Sequence, residues 1–235
     1  MTRIEIATDD GTAPAFVYGE QGAPNALMFM DGLGMRPAMH AIAERLAASG
    51  YYVLLPDVFY RAGAYTPPDP TRLFSDPEVR GAWFKTMSAA ASQEKLMRDT
   101  RHYLAHLPRE QVAAFGYCMG GRMAVAAAGT YPDRIALAAA FHPGGLATDA
   151  ADSPHLLAAS IKAKVYVAAA SDDASFDEAQ QERFSQAMTA AGVSFELETY
   201  AAKHGWVPTD TPVHDPDCAE KHWAKLLDLL VHTLR

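Results

Sequence analysis

A thiol, a pair of carboxylates and an imidazole occur in that order along the chain, each just after a run of apolar residues. The thiol is Cys118, the carboxylates are Asp172 and Asp173, and the imidazole is His204. A thiolate can attack an electrophilic centre, an imidazole can transfer protons, and a carboxylate can fix the tautomer of the imidazole and stabilise its charged form. We therefore predict nucleophilic catalysis with Cys118 as nucleophile and His204 as general base and acid. Asp172 is the expected orienting carboxylate, and Asp173 stays open as the alternative.

The turn around Cys118 is rich in glycine. Residues 115–121 read FGYCMGG and lie between an apolar run and an alanine-rich run, which is the pattern of a nucleophile elbow with sulfur in place of the usual oxygen. On such a sharp strand-to-helix turn the glycines remove Cβ atoms that would collide with neighbouring backbone. The helix N-terminus favours the thiolate. The alternative is an ordinary buried cysteine, and the glycines on both sides argue against it.

The elements that must position these side chains form an α/β pattern. Apolar runs alternate with amphipathic runs, which predicts a mostly parallel central sheet with helices on both faces. The carboxyl ends of parallel strands share one edge of the sheet, so the thiol, a carboxylate and the imidazole can meet there. Their order along the chain is that of the α/β-hydrolases. Strands are predicted at residues 3–7, 15–18, 25–30, 51–55, 111–117, 135–141, 164–170 and 194–200, and helices at 37–49, 92–107, 122–129, 176–192 and 216–234.

The carboxylates and the imidazole also have structural interpretations. One of Asp172 and Asp173 is expected to cap the helix that starts near Phe176, which would leave the other for His204. His204 itself could be a packed core histidine beside Trp206. Its position after the last predicted strand favours the catalytic interpretation.

Proline and aromatic residues are concentrated between residues 60 and 84. Pro67, Pro68, Pro70 and Pro77 predict an irregular segment. A loop of this length inside a compact domain is more often functional than incidental, so we expect residues 60–90 to form a pocket wall or lid. A surface excursion without contact to the site is the alternative.

Four motifs make the chain resemble the dienelactone hydrolase family over nearly its full length. They are residues 116–121 (GYCMGG), Asp172, residues 203–206 (KHGW) and residues 51–57 (YYVLLPD). The resemblance implies an α/β-hydrolase fold and hydrolysis of an ester or lactone through a thioacyl enzyme. It also implies a Cys-His-Asp triad that works without a metal or another cofactor. The backbone N–H groups of the oxyanion hole that it implies transfer here to Met119 and Gly32.

Two positions depart from the pattern of that family. The family has a glutamate in its first loop, similar to a proton acceptor for the resting thiol, where this chain has the shorter Asp31. We expect Asp31 to support Cys118 if its side chain reaches the sulfur. Pro208 stands where the family has an arginine, four residues after the histidine, that holds the substrate carboxylate. Without that charge-assisted contact an anionic dienelactone would bind poorly, so we expect a neutral substrate.

The expected substrates are aryl or short acyl esters and lactones. Activated phosphotriesters are a second class, because they are neutral and develop charge on an oxygen that the same N–H pair could hold. An acyltransferase with the same intermediate, or a non-catalytic thiol sensor with Cys218 as resolving partner, stays open as an alternative. The side chains expected to line the pocket are Leu33, Tyr60, Tyr65, Trp83, Phe84, His142 and Trp206.

Composition narrows the class further. At 235 residues the chain suits a single domain spanning residues 1–235. The formal net charge of −8 argues against a nucleic-acid partner, and no apolar run approaches the length of a membrane span. The N-terminus does not read as a signal peptide, and Cys118 and Cys218 form no CxxC pair. We expect a cytoplasmic protein, a monomer or small homo-oligomer, whose partner is a small-molecule substrate.

Overall fold

One eight-stranded sheet forms the centre of the computed structural model, which describes residues 1–234 of the 235-residue chain. The strands are β1 Thr2–Thr8, β2 Gly11–Tyr18, β3 Asn25–Phe29, β4 Tyr52–Pro56, β5 Val112–Tyr117, β6 Ile135–Phe141, β7 Lys164–Asp172 and β8 Phe195–Lys203. Their order in the sheet is β1-β2-β4-β3-β5-β6-β7-β8. β2 is antiparallel to β1 and to β4, and the other neighbouring pairs are parallel. The predicted mostly parallel sheet is therefore confirmed.

Helices follow most of the parallel strands. The α-helices of the described chain are α1 Pro37–Ala48, α2 Pro70–Ser75, α3 Pro77–Ala90, α4 Gln93–Ala105, α5 Met119–Thr130, α6 Glu178–Ala190 and α7 Pro216–Leu234. Short 3-10 turns occupy Tyr60–Ala62 and Pro154–Ser160. None of these helices is both long and apolar enough to cross a membrane.

Adjacent residues of β5 show that helices cover both faces of the sheet. A Cβ atom on Gly116 would lie 2.5 Å from the backbone of Gly120 in α5. The next residue, Tyr117, points the other way, and its hydroxyl lies 3.0 Å from Nε2 of His222 in α7. Because successive side chains of a strand alternate between its faces, α5 and α7 lie on opposite sides. β3 and β5 are buried along their whole length, which explains why they read as continuous apolar runs.

The proline-rich segment is helical, so the prediction of an irregular loop over residues 60–84 is wrong. α2 and α3 each begin with a proline, preceded by Asp69 and Asp76 respectively. Both aspartates accept hydrogen bonds from backbone N–H groups of the first turn. Proline is well suited to the first position of a helix, where its missing N–H would have no partner. Each Asp-Pro pair therefore starts a helix here instead of preventing one.

Candidate active site

Cys118 occupies a strained turn between β5 and α5. Its backbone angles are φ 53° and ψ −118°, a left-handed conformation that is unusual for a residue with a Cβ. A Cβ on Gly120 would lie 2.2 Å from the carbonyl oxygen of Phe29, so this turn can approach β3 only where glycine stands. The strand-turn-helix predicted around Cys118 is confirmed. The thiol stands at the N-terminus of α5, at the carboxyl edge of the sheet.

Asp173 and His204 form a close pair at the same edge. The Nδ1 atom of His204 lies 2.7 Å from Oδ2 of Asp173. The other oxygen of Asp173 accepts hydrogen bonds from the backbone N–H of Ser175, at 2.9 Å, and from its hydroxyl. Only 4% of the Asp173 side chain is exposed, compared with 24% of His204. The carboxylate is therefore buried, with one oxygen on the imidazole and the other held by Ser175.

Asp172 is not the partner of His204, and the prediction that it would be is wrong. Asp172 is exposed and lines a surface groove together with Lys203 and His214. Consecutive residues of an extended strand point to opposite sides, so only one of the two aspartates can face the imidazole. Neither of them caps the following helix, because Asp177 does so by accepting the N–H of Gln180 at 2.9 Å.

The groups around His204 and Asp173 shift the pKa values of both side chains. Burial favours the neutral ring of His204, but the Cys118 thiolate and the Asp173 carboxylate outweigh it and raise the pKa of His204 to about 10. The ring is held by its Nδ1 contact with Asp173 and lines the same cavity as Cys118. Burial alone would raise the pKa of Asp173, yet the hydrogen bonds from His204 and Ser175 lower it. The imidazole is therefore charged at neutral pH and lies beside the Asp173 carboxylate.

Among the described residues Asp31 makes no hydrogen bond to Cys118. The expectation that Asp31 supports the thiol by direct contact is therefore wrong. Both of its carboxylate oxygens bind the guanidinium of Arg36, at 2.6 and 2.8 Å. One oxygen also accepts the backbone N–H of Leu33 at 3.0 Å. The carboxylate is therefore engaged within its own loop.

Two backbone N–H groups follow the carboxyl ends of the neighbouring parallel strands β3 and β5. Within residues 1–234, neither the N–H of Gly32 nor that of Met119 has a protein acceptor. Met119 is the first residue of α5, where N–H groups have no partner inside the helix. The carbonyl oxygen of Gly32 accepts the indole N–H of Trp83 at 2.8 Å, which ties this loop to α3. Both N–H groups lie in the segments that the resemblance assigned to an oxyanion hole.

A cavity of about 390 Å³ opens over Cys118 and His204. Its lining is mainly apolar and includes Leu33 and Phe84, two of the side chains expected around a substrate. Sequence reasoning missed the remaining members, which come from α2, α3 and the loops after β6 and β7. These are Leu73, Phe74, Arg80, Gly144 and Ser175.

The other side chains expected in the pocket lie elsewhere, and for them the prediction is wrong. Tyr60 and Tyr65 line a separate groove. Trp83 donates its indole N–H to the carbonyl oxygen of Gly32 and is not part of the cavity lining. His142 and Trp206 are buried, with ring centroids 4.8 Å apart. His142 packs against His204 at a centroid distance of 5.2 Å, so it supports the imidazole from behind without facing the cavity.

Arg80 is the one arginine or lysine in the cavity lining. It is exposed, and the described residues include no ion-pair partner for it. No signal within the sequence distinguished Arg80 from other surface arginines, because the helix that carries it was predicted as a loop. In residues 1–234 no cluster of three or more His, Cys, Asp or Glu side chains is placed to hold a metal ion.

A mostly parallel eight-stranded sheet with a glycine-rich elbow after a central strand and a histidine after the last strand defines an α/β-hydrolase. The model of the Dienelactone hydrolase family matches residues 13–234. The chain belongs to the dienelactone hydrolase family and is an ester or lactone hydrolase.

Relatives and solved structures agree with this family. The carboxymethylenebutenolidase of Rhodococcus opacus is 26% identical over 207 residues, which cover 86% of this chain and 78% of the relative. The crystal structure of a Klebsiella pneumoniae protein provisionally assigned as a dienelactone hydrolase superposes with a TM-score of 0.83 at 19% identity, covering 98% of this chain and 97% of the other. A dienelactone hydrolase-like promiscuous phosphotriesterase from metagenomic libraries gives a TM-score of 0.78 at 17% identity, covering 100% and 98%. At these identities the structural matches establish the fold.

Proposed function

We propose that the chain hydrolyses neutral esters and lactones through a covalent intermediate on Cys118. The observation that supports this most directly is the placement of His204, which pairs with Asp173 through Nδ1 and lines the same cavity as Cys118. A charged imidazole beside a thiolate provides a nucleophile and a proton donor at once. The apolar cavity above them can hold an uncharged acyl or aryl group.

In the first half-reaction the thiolate of Cys118 attacks the carbonyl carbon, and the carbonyl electron pair moves to its oxygen. The N–H groups of Gly32 and Met119 stabilise that developing oxyanion. As the tetrahedral intermediate collapses, the bond to the leaving oxygen breaks and Nε2 of His204 donates its proton to it. The products of this half are a thioacyl enzyme, an alcohol and a neutral imidazole.

In the second half-reaction His204 acts as a base. It removes a proton from a water molecule, whose oxygen attacks the thioacyl carbon. The same two N–H groups hold the second oxyanion, and its collapse releases the carboxylic acid and the Cys118 thiolate. Asp173 stabilises the imidazolium that forms again at His204, without accepting its proton.

Phosphotriesters are the second candidate class of substrate. They are neutral, and attack at phosphorus would place charge on a phosphoryl oxygen within reach of the same N–H groups. The phosphotriesterase with the same fold supports this candidate. The carboxymethylenebutenolidase relative supports a lactone.

The test is a panel of a p-nitrophenyl acyl ester, an aliphatic lactone and a diethyl aryl phosphate, assayed with wild type, Cys118→Ala and His204→Ala. We expect either variant to lose at least ~10³ in kcat, as triad knockouts do. Mass spectrometry after acid quenching should find the acyl group on the peptide that contains Cys118.

Cys218→Ala is the matched control, because it removes the other free thiol, at the start of α7. It should keep full activity. Activity retained by Cys118→Ala would refute the proposal. Faster acyl transfer to an added alcohol than to water would assign an acyltransferase instead. A Cys118–Cys218 disulfide after peroxide treatment, together with an inactive wild type, would assign a thiol sensor.

A further inference from the structure

The buried guanidinium of Arg36 joins the loop that follows β3 to the loop that follows β8. It binds both oxygens of Asp31 in its own loop, at 2.6 and 2.8 Å. Its Nε atom donates to Oδ2 of Asp210 at 2.7 Å, and Asp210 lies six residues after His204 along the chain. Only 4% of the Arg36 side chain is exposed. The two loops that carry the candidate chemistry therefore share one cation.

The electrostatic balance keeps Arg36 charged. Burial would lower the pKa of its guanidinium, but Asp31 and Asp210 outweigh burial and raise it. A bidentate arginine–carboxylate contact fixes orientation as well as distance. Because Arg36 contacts each of the two carboxylates through more than one nitrogen–oxygen pair, the position of Asp31 is set relative to Asp210.

Fixing Asp31 also fixes the N–H of Gly32. That N–H belongs to the peptide unit that joins Gly32 to Asp31. The carboxylate of Asp31 additionally accepts the N–H of Leu33 at 3.0 Å, which closes the loop around residue 32. His204 has its own anchor in Asp173 at 2.7 Å, so the group that depends on Arg36 is the oxyanion donor and not the imidazole.

We propose that Arg36 is a positioning residue. Its ion pair with Asp210 fixes the guanidinium, which in turn holds Asp31, and with it the Gly32 N–H, where the oxyanion forms. This inference rests on the proposed function. It predicts that weakening the contacts of Arg36 slows acylation of Cys118, while the reactivity of the thiol itself is unchanged. Displacing a reacting group by about 1 Å can cost ~10²-fold in rate.

Asp210→Ala is the primary variant. It removes the contact between Arg36 and Asp210, whose side chain is 32% exposed, and leaves the buried Arg36–Asp31 pair complete. Arg36→Lys is the second variant, because one ammonium keeps the charge but cannot make the paired contacts of a guanidinium. Asp210→Asn should restore part of the loss, since its amide oxygen can still accept from Arg36.

Two rates are compared for each variant. The burst of p-nitrophenol from a p-nitrophenyl ester reports acylation, which uses the oxyanion donor. Alkylation of Cys118 by iodoacetamide reports the thiolate alone, because attack on a saturated carbon forms no oxyanion. We expect Asp210→Ala and Arg36→Lys to slow the burst at least about tenfold and to change the alkylation rate less than about twofold.

Glu220→Ala is the matched control. Glu220 makes a bidentate contact with Arg45 of α1, on the protein surface and outside the cavity lining, and its loss should leave both rates unchanged. An unchanged burst in Asp210→Ala and Arg36→Lys would overturn the inference, and so would an equal loss of burst and alkylation. The proposed function fails separately, if Cys118→Ala remains active.

Discussion

Asp173 and His204 stand at the ends of two neighbouring parallel strands, with Oδ2 of Asp173 2.7 Å from Nδ1 of His204. The contact leaves Nε2 of the ring as the nitrogen that can serve Cys118 and a substrate. Asp173 is held in turn by the hydroxyl and the N–H of Ser175. The orientation of the imidazole is therefore set by a buried carboxylate that cannot easily rotate away.

The first prediction concerns this carboxylate. Asp173→Asn keeps the shape of the side chain but removes the charge that stabilises the imidazolium, and we expect a loss of at least ~10³ in kcat for a p-nitrophenyl ester. Asp172→Asn changes the neighbouring carboxylate, which faces the groove with Lys203, and should leave kcat within about twofold. The reverse ranking of the two variants would show that Asp172 is the functional acid.

The second prediction concerns the charge of His204. Its pKa is raised to about 10, with the Cys118 thiolate the strongest contribution that opposes burial. In Cys118→Ala the thiolate is absent, so the imidazole should lose its proton at lower pH. NMR titration of the ring should detect a fall in its pKa relative to wild type. Cys218→Ala is the control and should titrate as wild type does, and an unchanged titration in Cys118→Ala would show that the two side chains do not interact.

The raised pKa of His204 has a consequence for the stability of the fold. The ordinary pKa of a histidine is 6.5 and that of His204 in the fold is about 10. Because the folded value is the higher one, the imidazolium contributes stability that is fully present below about pH 6.5. That contribution declines as the pH rises through 10.

The third prediction concerns the charge preference of the cavity. Pro208 stands where the family has an arginine, four residues after the histidine. The arginine that lines the cavity of this chain is Arg80 of α3. Since Arg80 is exposed and screened by solvent, we expect a neutral ester to be hydrolysed at least as fast as its carboxylate-bearing analogue. Arg80→Gln should widen this difference by about threefold, because the remaining attraction for the carboxylate is lost.

Arg72→Gln is the control for Arg80. Arg72 lies on α2, is 71% exposed and does not line the cavity. The ratio of kcat/KM for the two esters should be the same in this variant as in wild type. A faster reaction of wild type with the anionic ester would refute the neutral-substrate proposal and assign the carboxylate to Arg80.

Most of the sheet and the elbow could be predicted from the sequence because each has a local cause. β3 and β5 are buried on both faces and therefore read as apolar runs. The turn at Cys118 requires glycine where the chain approaches β3, and that requirement is visible as the GYCMGG motif. The positions of Cys118 and His204 in the fold follow from these two facts together with the parallel order of the strands.

Other parts of the site depend on contacts that no local pattern reveals. The choice between Asp172 and Asp173 depends on the strand register, which shifts between Ala170 and Asp172 where β7 pairs with β8. The turn of Asp31 toward Arg36 depends on a third group, Asp210, far along the chain. The helices α2 and α3 could have been predicted, since each Asp-Pro pair combines a capping residue with a proline at the first helical position.

The last prediction concerns His222, which lies on α7 beneath the sheet. Burial lowers the pKa of His222 to about 3, and its Nε2 lies 3.0 Å from the hydroxyl of Tyr117. In the unfolded chain the imidazole of His222 takes up a proton below about pH 6.5, whereas in the folded chain it does so only near pH 3. The free energy of unfolding should therefore fall as the pH decreases, by up to about 1.4 kcal/mol per pH unit for this histidine.

His222→Gln tests this, because glutamine does not titrate and its amide oxygen can accept from Tyr117. The variant should be less stable than wild type at pH 7, since packing around the ring is lost, but its stability should fall less steeply in acid. Between pH 6.5 and 4.5, urea unfolding should show a loss about 2–3 kcal/mol smaller than in wild type. His232→Gln is the control, because His232 lies on the same helix with 70% of its side chain exposed. Parallel pH profiles for wild type and His222→Gln would mean that the imidazole takes up a proton inside the folded chain.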